Sequence, residues 1–212
     1  CTYTESGTYT VTVTVEDGDG GTAREVTTAS VNNVAPVIST LAGADVDEGD
    51  ATTLTASASD AGGDALTYEW DLDGDGVYDV TTSTGSLQHT YASDDVKTVG
   101  LRVCDDERAC VTDSTTLTVG NVAPSITLVE TTPASPVIVT EGQNVSVRVT
   151  GTDPSTADAN ALQFEIDWGD GTVDFVNGSG TGTPNESQAR ATHTYTDPSP
   201  SYVVTITLRD KD

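Results

Sequence analysis

The fold is decided by Tyr68-Glu69-Trp70-Asp71-Leu72-Asp73-Gly74-Asp75-Gly76, and a second version of this stretch is Phe164-Glu165-Ile166-Asp167-Trp168-Gly169-Asp170-Gly171-Thr172. Each copy begins as an alternating strand with one Trp and runs into an acidic turn that contains glycine. Alternate side chains of a strand share a face, so Tyr68 and Trp70 are predicted to enter one core. Phe164, Ile166 and Trp168 are predicted to enter another, and each Trp is expected to anchor its own core.

Short motifs return at a regular spacing and divide the chain into repeats. Asn33-Val34-Ala35-Pro36 recurs as Asn121-Val122-Ala123-Pro124, and His89-Thr90-Tyr91 recurs as His193-Thr194-Tyr195, with Cys1-Thr2-Tyr3 as a third version. Alternating segments follow at residues 9–15, 99–103 and 202–208, and alternation of this length predicts strands. No segment shows helical periodicity.

Three units follow from this spacing. Residues 1–32 are interpreted as the C-terminal part of one repeat, 33–120 as a complete repeat, and 121–212 as a third repeat that stops just after its penultimate strand. A repeat of about 90 residues with about seven strands predicts an immunoglobulin-like β-sandwich. We therefore expect an all-β protein of tandem sandwiches in a linear array. The start at Cys1, without a signal peptide, suggests a window of a longer secreted chain.

The charge of the chain limits its partners. The sequence holds 34 acidic and 8 basic residues, which gives a formal net charge of -26. Nucleic acids and anionic lipid surfaces attract Lys and Arg, so this composition argues against both as partners. No apolar run approaches the length of a membrane span. Bound divalent cations and a high-salt habitat are both compatible with such acidity.

These repeats resemble the PKD (polycystic-kidney-disease) domain. The resemblance rests on the Trp168–Thr172 turn, the His-Thr-Tyr motif at 193 and the strand ending at Asp210, and on the matching features at Trp70, His89 and Asp105. Cys1 departs from it where the other repeats have His, and the middle repeat inserts Asp73-Gly74. The family implies extracellular β-sandwich modules that act as spacers or adhesive units in surface proteins and secreted hydrolases. Some members bind calcium at the domain ends.

The loop from Asp71 to Asp79 is the first candidate metal site. Its pattern, Asp-x-Asp-Gly-Asp-Gly-x-x-Asp, resembles the first half of an EF-hand calcium loop. The candidate ligands are the carboxylates of Asp71, Asp73, Asp75 and Asp79. Thr82 stands where the EF-hand has a bidentate Glu, so a solvated Asp/Gly turn is the alternative. The shorter turn at Asp170 is expected to be structural.

A second set of candidates follows from the expected topology. In an immunoglobulin-like sandwich, the start of the repeat, the loop after the second strand and the loop before the last strand lie at one end. In the middle repeat these positions hold Asn33, Asp60, Asp64, Asp105 and Asp106, and in the third they hold Asn121, Asp153 and Asp210. The turn with Asp73 and Asp75 is expected at the opposite end, facing the next repeat. Calcium at such a junction would offset carboxylate repulsion and stiffen the array, whereas solvated acidic loops are the alternative.

The cysteines and sequons supply the remaining candidate sites. Cys104 and Cys110 flank a short turn between the last two strands and are placed to form a disulfide, which fits an oxidising, extracellular setting. A reduced pair is the alternative. Cys1 could pair outside this window, link two chains or stay a buried thiol. Asn144, Asn177 and Asn185 begin N-glycosylation sequons, although such triplets arise by chance in a chain rich in Asn, Ser and Thr.

These sequence patterns do not indicate a catalytic site. His89 and His193 occupy equivalent positions, each two residues before a Tyr, so a packing or hydrogen-bonding role is expected for both. No nucleophile-elbow motif occurs. A motif that recurs along the chain is also poor evidence for a unique active site, and the chain is not expected to be an enzyme.

Two functions remain, both at the cell surface or outside the cell. The first is a structural or adhesive segment of a long multi-repeat protein such as a filament, stalk, surface layer or adhesin, stiffened by calcium. Its partners would be neighbouring repeats, other copies in a filament or layer, or a surface protein or polysaccharide. The alternative is a spacer or substrate-binding module of a secreted protease or polysaccharide hydrolase. Many further repeats in the full gene would favour the first, and a catalytic domain the second.

Overall fold

The computed structural model describes residues 2–135, 137–197 and 201–211. They form two compact units. The first contains residues 2–44, 52–89 and 97–117, and the second contains residues 45–51 and 90–96 together with the described residues from 118 onward. Within the described ranges, no helix is long and apolar enough to cross a membrane.

The first unit begins with a β-hairpin. Strand β1 (Gly7–Glu16) pairs antiparallel with β2 (Thr22–Val31) in an unbroken register from Gly7 opposite Val31 to Glu16 opposite Thr22. At the turn, the N–H of Asp17 donates to the carbonyl of Gly21 at 3.0 Å. The carboxylate of Asp17 accepts the N–H of Gly21 at 2.7 Å. The side chain of the turn residue thus completes the hairpin that the alternating Thr and Val residues begin.

Residues 33–120 form two further sheets. The strands are β3 (Val37–Gly43), β4 (Val46–Asp47), β5 (Ala51–Ser59), β6 (Thr67–Asp71), β7 (Val80–Thr82), β8 (Ser86–Thr90), β9 (Asp95–Cys104) and β10 (Cys110–Gly120). One sheet has the order β3-β5-β8, and the other has the order β4-β10-β9-β6-β7. Strand β4 runs parallel to β10, with Val46 opposite Val119, whereas β6 is antiparallel to both β7 and β9.

Trp70 lies at the centre of the core in residues 33–120. It is fully buried on β6, as are Leu54 on β5 and Val99 on β9. Tyr68, predicted to share the face of Trp70, is also buried. Gly43 marks the close approach of the two sheets, because a Cβ there would lie 2.8 Å from Leu54 and 2.9 Å from Leu117. The alternation read from the sequence therefore places its apolar residues between two sheets.

Residues 125–209 form a second pair of sheets with a single helical turn. The elements are β11 (Ser125–Thr132), β12 (Asn144–Thr152), α1 (Thr156–Ala159), β13 (Gln163–Asp167), β14 (Val173–Asn177), β15 (Ser179–Gly180), β16 (Glu186–Thr194) and β17 (Thr205–Arg209). The strand orders are β11-β12-β16-β15 and β14-β13-β17. The core between them consists of Val145, Val147, Val149, Leu162, Phe164, Ile166, Trp168 and Ala189.

The all-β, immunoglobulin-like sandwich prediction is confirmed by these sheets, with two corrections. The alternating segment 202–208 was expected to be one strand, but β17 begins at Thr205. A helical turn was also not expected, yet α1 forms because Ser155 caps it by accepting the N–H of Asp158. The cap and turn are too short to leave a periodic apolar pattern in the sequence. The division at 32 and 120 into three repeats stays a prediction.

The structure joins Cys104 and Cys110 in a disulfide, as the sequence predicted. The two cysteines end β9 and begin β10, and the N–H of Asp105 donates to the carbonyl of Ala109 across the turn between them at 3.1 Å. Cys1 lies outside the described residues. The disulfide therefore closes a turn that is already hydrogen bonded.

We expect the double substitution Cys104→Ser, Cys110→Ser to lower the free energy of unfolding by about 2 kcal/mol, because the bond restricts a short loop of the unfolded chain. Urea unfolding of both proteins measures the difference. Intact mass after alkylation without reductant checks the bond itself: alkylation at both positions in the native chain would contradict it.

Candidate functional site

In the part of the chain that the structure describes, three groups of acidic residues bring carboxylate oxygens within 4.8 Å of one another. They are Glu48, Asp153 and Asp158; Asp60, Asp64 and Asp105; and Asp71, Asp73 and Asp79. The first group lies in the second unit, and the other two lie in the first. The groups differ in burial and in how far hydrogen bonds already satisfy their oxygens.

The group of Glu48, Asp153 and Asp158, called here the buried acidic site, is assembled from three separate elements. Glu48 follows β4, Asp153 follows β12, and Asp158 lies in α1. Their exposed fractions are 2%, 2% and 0%. Carboxylates are almost never fully buried without a partner of opposite charge, so this burial calls for one.

Gly49 allows Glu48 to reach the site. Its φ of +80° is a left-handed conformation that side chains resist, and a Cβ there would lie 2.9 Å from the Cβ of Pro154. The N–H of Gly49 donates to the carbonyl of Tyr91 at 2.9 Å. The turn is therefore held in place, and it brings Glu48 alongside the loop that carries Asp153.

Backbone N–H groups fix two of the three carboxylates. Glu48 accepts the N–H of Val122 on Oε1 and that of Asp94 on Oε2, each at 3.1 Å. Asp153 Oδ1 accepts the N–H of Ser155 at 2.8 Å. These bonds orient the carboxylates but leave lone pairs on the oxygens free for another ligand.

The remaining oxygens of the buried acidic site are poorly satisfied. Asp153 Oδ2 and Asp158 Oδ2 are buried without a hydrogen-bond partner among the described residues. The Nζ of Lys211 lies 2.6 Å from Asp158 Oδ1 and 3.6 Å from Asp94 Oδ1. Among the described residues, the ammonium of Lys211 is the positive charge in contact with these carboxylates, and three carboxylates outnumber it.

The pKa of Asp153 reflects the free-energy cost of burying its negative charge beside other carboxylates. Burial raises this pKa from 3.8 to about 6, against the opposing effect of the hydrogen bond from Ser155. The charges of Glu48, Asp158 and Asp210 raise it further. Near pH 6 and below, a proton on Asp153 therefore competes with any cation for the same oxygens.

The group of Asp60, Asp64 and Asp105 gathers residues that topology had predicted to meet. Asn33 donates its amide N–H to Asp105 Oδ2 at 2.8 Å, and this hydrogen bond is the main reason that the pKa of Asp105 is lowered. Asp60 Oδ1 accepts the N–H of Gly62 at 2.6 Å, while its Oδ2 is buried and has no hydrogen-bond partner among the residues that the structure describes. Burial and then the charge of Asp60 raise the pKa of Asp64.

The loop from Asp71 to Asp79 satisfies most of its own carboxylates. Buried Asp71 accepts the N–H groups of Gly74 and Gly76 at 2.8 and 2.9 Å. Asp79 accepts the N–H of Leu72 at 2.8 Å. Asp75, expected to be a ligand, accepts an N–H from within the loop and is not a member of the group. These bonds are compatible with an Asp/Gly turn, and the carboxylates of Asp71, Asp73 and Asp79 also lie within reach of a shared cation, so both interpretations stay open.

The turn at Asp170 makes hydrogen bonds and ring contacts with its own sandwich. Asp170 Oδ2 lies 2.7 Å from His193 Nε2, and the His193 ring stacks on Trp168 at 4.9 Å between centroids. The hydroxyl of Tyr195 donates to the carbonyl of Trp168 at 2.9 Å. The N–H of Thr172 and then the contact with His193 lower the pKa of Asp170. The equivalent His89 has a lowered pKa because it is partly buried.

Glu48 and Asp158 were not among the candidate metal ligands expected from the sequence. Asp73 or Asp75 was expected to join the third repeat's acids, but the carboxylate from residues 33–120 that meets Asp153 is Glu48. The sequence carried a signal for it, since Glu48-Gly49 recurs as Glu141-Gly142. The side-chain amide of Asn121 donates to Asp210 Oδ2 at 3.4 Å. This hydrogen bond is the equivalent of the one from Asn33 to Asp105.

The three sequon asparagines differ in their surroundings. Asn144, at the start of β12, and Asn177, at the end of β14, are exposed. Asn185 is half-buried, and its amide donates to the carbonyl of Pro154 at 2.7 Å. Its side chain holds the loop next to the buried acidic site, so a glycan there would replace a structural hydrogen bond.

Part of the chain matches a protein family, and solved structures with low sequence identity resemble the chain. Residues 33–119 match the family model of the PKD domain. A solved structure from work on the promiscuous specificity of carbohydrate-binding modules of the β-sandwich superfamily is 18% identical, with a TM-score of 0.37, and covers 85% of this chain and 92% of its own. The complex of Dpr2 Ig1-Ig2 with DIP-Theta Ig1-Ig3 is 13% identical, with a TM-score of 0.38, and covers 99% of this chain and 74% of its own. No curated protein matches the chain.

We expect acidification to stabilise the second unit when divalent cations are absent. The pKa of Asp153 is about 6 in the folded chain and 3.8 in the free side chain, so the folded state binds more protons between these values. The free energy of unfolding should therefore rise as the pH falls from about 7.5 to about 4.5, by roughly 2 kcal/mol. Thermal unfolding in chelator at constant ionic strength measures it.

Asp153→Asn is the matched control, because it keeps the acceptor for Ser155 and removes the titrating group. The rise in stability on acidification should be much smaller in this variant than in the parent chain. Equal pH profiles for the two proteins would show that Asp153 has an ordinary pKa.

Proposed function

We propose that the chain is a non-catalytic structural or adhesive segment of a long extracellular protein built from repeated β-sandwiches, and that calcium bound at the buried acidic site stiffens it. The observation that carries the proposal is the burial of Glu48, Asp153 and Asp158 with unsatisfied oxygens. The PKD match of residues 33–119 and the disulfide support an extracellular structural or binding module.

The donor set of the buried acidic site suits calcium. Calcium is a hard cation that takes six to eight oxygen ligands and tolerates irregular geometry, whereas magnesium requires a tighter octahedral shell and retains water. Three carboxylates offer up to six oxygens, and Asp210 adds to the negative potential around Asp153. No sulfur or imidazole ligand belongs to the group, so a softer metal gains nothing there.

Cation binding at this site would make the segments that carry its three carboxylates more rigid. Glu48 comes from the sequence of the predicted repeat 33–120, while Asp153 and Asp158 come from 121–212. All three lie in the second compact unit. A cation that bound all three would join the turn after β4 to the loop after β12 and to α1. Without it, mutual repulsion would favour separation of these segments, opposed by Lys211, by protonation of Asp153 and by the backbone hydrogen bonds to Glu48 and Asp153.

The alternative is a spacer or substrate-binding module of a secreted protease or polysaccharide hydrolase. The same cation site would serve this role, since a spacer also gains from rigidity. The full gene separates the two: further sandwich repeats favour the structural segment, and a catalytic domain favours the spacer. Partners of the structural segment would be neighbouring repeats, other copies in a filament or layer, or a surface protein or polysaccharide.

We expect calcium to raise the melting temperature of the chain by about 5–10 °C at a concentration 100-fold above its Kd, which corresponds to roughly 2.7 kcal/mol. Sodium at equal ionic strength should not do so, because it only screens exposed charge. Glu48→Gln and Asp153→Asn should each remove most of the calcium response. Calorimetry with calcium, magnesium, sodium or chelator measures it.

The double substitution Asp73→Asn, Asp75→Asn is the matched control, because it removes two acids from the loop of the first unit and should keep the calcium response. A second variant, Lys211→Gln, should tighten calcium binding, since it removes the ammonium that competes for Asp158. A response to calcium that survives Glu48→Gln and is lost in the control would move the site to the loop from Asp71 to Asp79. Equal effects of sodium and calcium would reject a specific site.

A further inference from the structure

Strand β14 carries an exposed aromatic ring beside a glycosylation sequon. Phe175 is 64% exposed and lies two residues before Asn177, which begins the sequon Asn177-Gly178-Ser179. Alternate side chains of a strand share a face, so the side chains of Phe175 and Asn177 project from the same face of β14. Exposure of a phenyl ring to water is unfavourable, so a cover over this face would stabilise the chain.

The face of β14 that carries this ring is the outer face of its sheet. In the register of β13 and β14, Phe175 lies opposite Glu165, which pairs with the guanidinium of Arg209 at 2.8 Å. The core side chains of β13, Phe164 and Ile166, are fully buried on the other face. The ring of Phe175 therefore lies outside the core of its sandwich, with a charged residue beside it on the neighbouring strand.

The position of β14 at an edge is a property of the sandwich. Over the described residues the order is β14-β13-β17, so β14 lies at the edge opposite to β17. In residues 33–120, β7 holds the same place, because it pairs with β6 and ends the five-stranded sheet. Both sheets thus leave the outer side of this strand accessible.

The equivalent strand of residues 33–120 has neither the ring nor the sequon. Thr81 lies opposite Glu69 there, as Phe175 lies opposite Glu165, and the two Glu residues hold equivalent places in the two Trp stretches. Residues 83–85, which follow β7, contain no Asn. Of these two edge strands, the one with the exposed ring is therefore the one that a sequon follows.

The backbone at the sequon is held in place. Asn177 pairs with Gln163 in the register of β13 and β14. The N–H of Gly178 donates to the carbonyl of Leu162 at 2.8 Å. A sugar attached to Asn177 would therefore start from a fixed point of the sheet, next to the ring of Phe175.

The three sequons differ in what the folded chain offers a glycan. Asn185 already donates a hydrogen bond to the backbone, and Ser187 of its sequon is fully buried. Asn144 is exposed, but Gly142 stands two residues before it and offers no side chain for a sugar to pack on. Among the three, Asn177 combines an exposed amide with an exposed ring on the same face.

We propose that Asn177 is an N-glycosylation site and that the first sugar of its glycan packs against the ring of Phe175. One face of a pyranose presents C–H groups, and these pack on the negative face of an aromatic ring while the hydroxyls remain in water. The bulky, polar glycan would also keep the edge of β14 from pairing with other chains. The inference rests on the extracellular setting of the proposed function, and it is independent of calcium.

The reaction is a group transfer from a lipid-linked oligosaccharide, catalysed by the transferase of a secretory membrane. The side-chain nitrogen of Asn177 forms a bond to C1 of the first sugar. The bond from C1 to the lipid phosphate oxygen breaks, and its electron pair stays on that oxygen. One proton leaves the amide nitrogen for a base of the transferase. The products are the glycosylated chain and the free lipid phosphate, and no group is oxidised or reduced.

The site is tested by secreting the full chain from eukaryotic cells that N-glycosylate their secreted proteins. Glycopeptide mass spectrometry then measures the occupancy of each sequon. We expect Asn177 to carry a glycan in most molecules and Asn185 to be largely unmodified, because a glycan on Asn185 would replace a structural hydrogen bond. An unmodified Asn177, or an Asn185 that is occupied to the same extent, would overturn the proposal.

The contact with the ring is tested by a double-mutant cycle on the glycosylated fraction of each protein. The variants are Asn177→Gln, Phe175→Thr and the two combined, and Thr is the matched choice because Thr81 holds the equivalent position. We expect the glycan to raise the melting temperature by about 2–4 °C more in the presence of the Phe175 ring than in its absence, an effect of the size of one aromatic pair.

Nuclear magnetic resonance gives an independent measure of the same contact. The protons of the first sugar should shift upfield above the ring in the parent chain and return to ordinary positions in Phe175→Thr. Equal glycan effects on the melting temperature with and without the ring, together with unshifted sugar protons, would reject the packing. Calcium should raise the melting temperature equally in the parent and in Asn177→Gln. An occupied Asn177 in a chain that does not respond to calcium would reject the cation site and keep the present inference.

Discussion

Both sandwiches depend on the burial of one indole whose N–H must still find an acceptor. Trp70 and Trp168 are fully buried, and an unpaired N–H in either core would cost about 1–3 kcal/mol. Trp70 donates to Thr82 on β7 at 3.0 Å, and Trp168 donates to Asp174 on β14 at 2.8 Å. The same bond thus joins the Trp strand to its neighbour in each sheet, with a different acceptor. Because the acidic turn connects these two strands, its conformation is coupled to the core, which explains why Asp71 is buried and accepts two backbone N–H groups.

Two kinds of acidic cluster result from this architecture, and they differ in what balances the charge. In the loop from Asp71 to Asp79, backbone N–H groups of the loop itself donate to the carboxylates of Asp71, Asp75 and Asp79. In the buried acidic site, the carboxylates come from elements far apart in sequence, and only some of their oxygens meet an N–H. Local turns supply a donor at short sequence spacing for each carboxylate named in that loop, whereas the converging segments leave Asp153 Oδ2 and Asp158 Oδ2 without a hydrogen-bond partner among the described residues. The second arrangement therefore leaves the coordination capacity that a cation requires.

The sequence predicted the features that depend on short spacing. The strands around Trp70 and Trp168 follow from alternation, and the bond between Cys104 and Cys110 follows from the turn that they flank. The contact between Asn33 and Asp105 was expected from the sandwich topology, because that topology determines which loops lie at the same end of the sandwich. Glu48 and Asp158 could not be found in this way. Glu48 reaches Asp153 through a turn that depends on the backbone of Gly49, and Asp158 is positioned by a helical turn too short to leave a pattern.

The acidity of the chain then needs two explanations rather than one. Exposed carboxylates such as Asp73 and Asp75 interact with solvent ions, and a high-salt habitat would account for their number. That account does not extend to Glu48, Asp153 and Asp158, because side chains that are at most 2% exposed are not screened by ions in solution. Their charge must be balanced inside the site. Lys211 supplies one positive charge at Asp158, and the raised pKa of Asp153 lets a proton supply another. At neutral pH that proton is mostly lost, so the requirement for a counter-charge is greater there than at acidic pH.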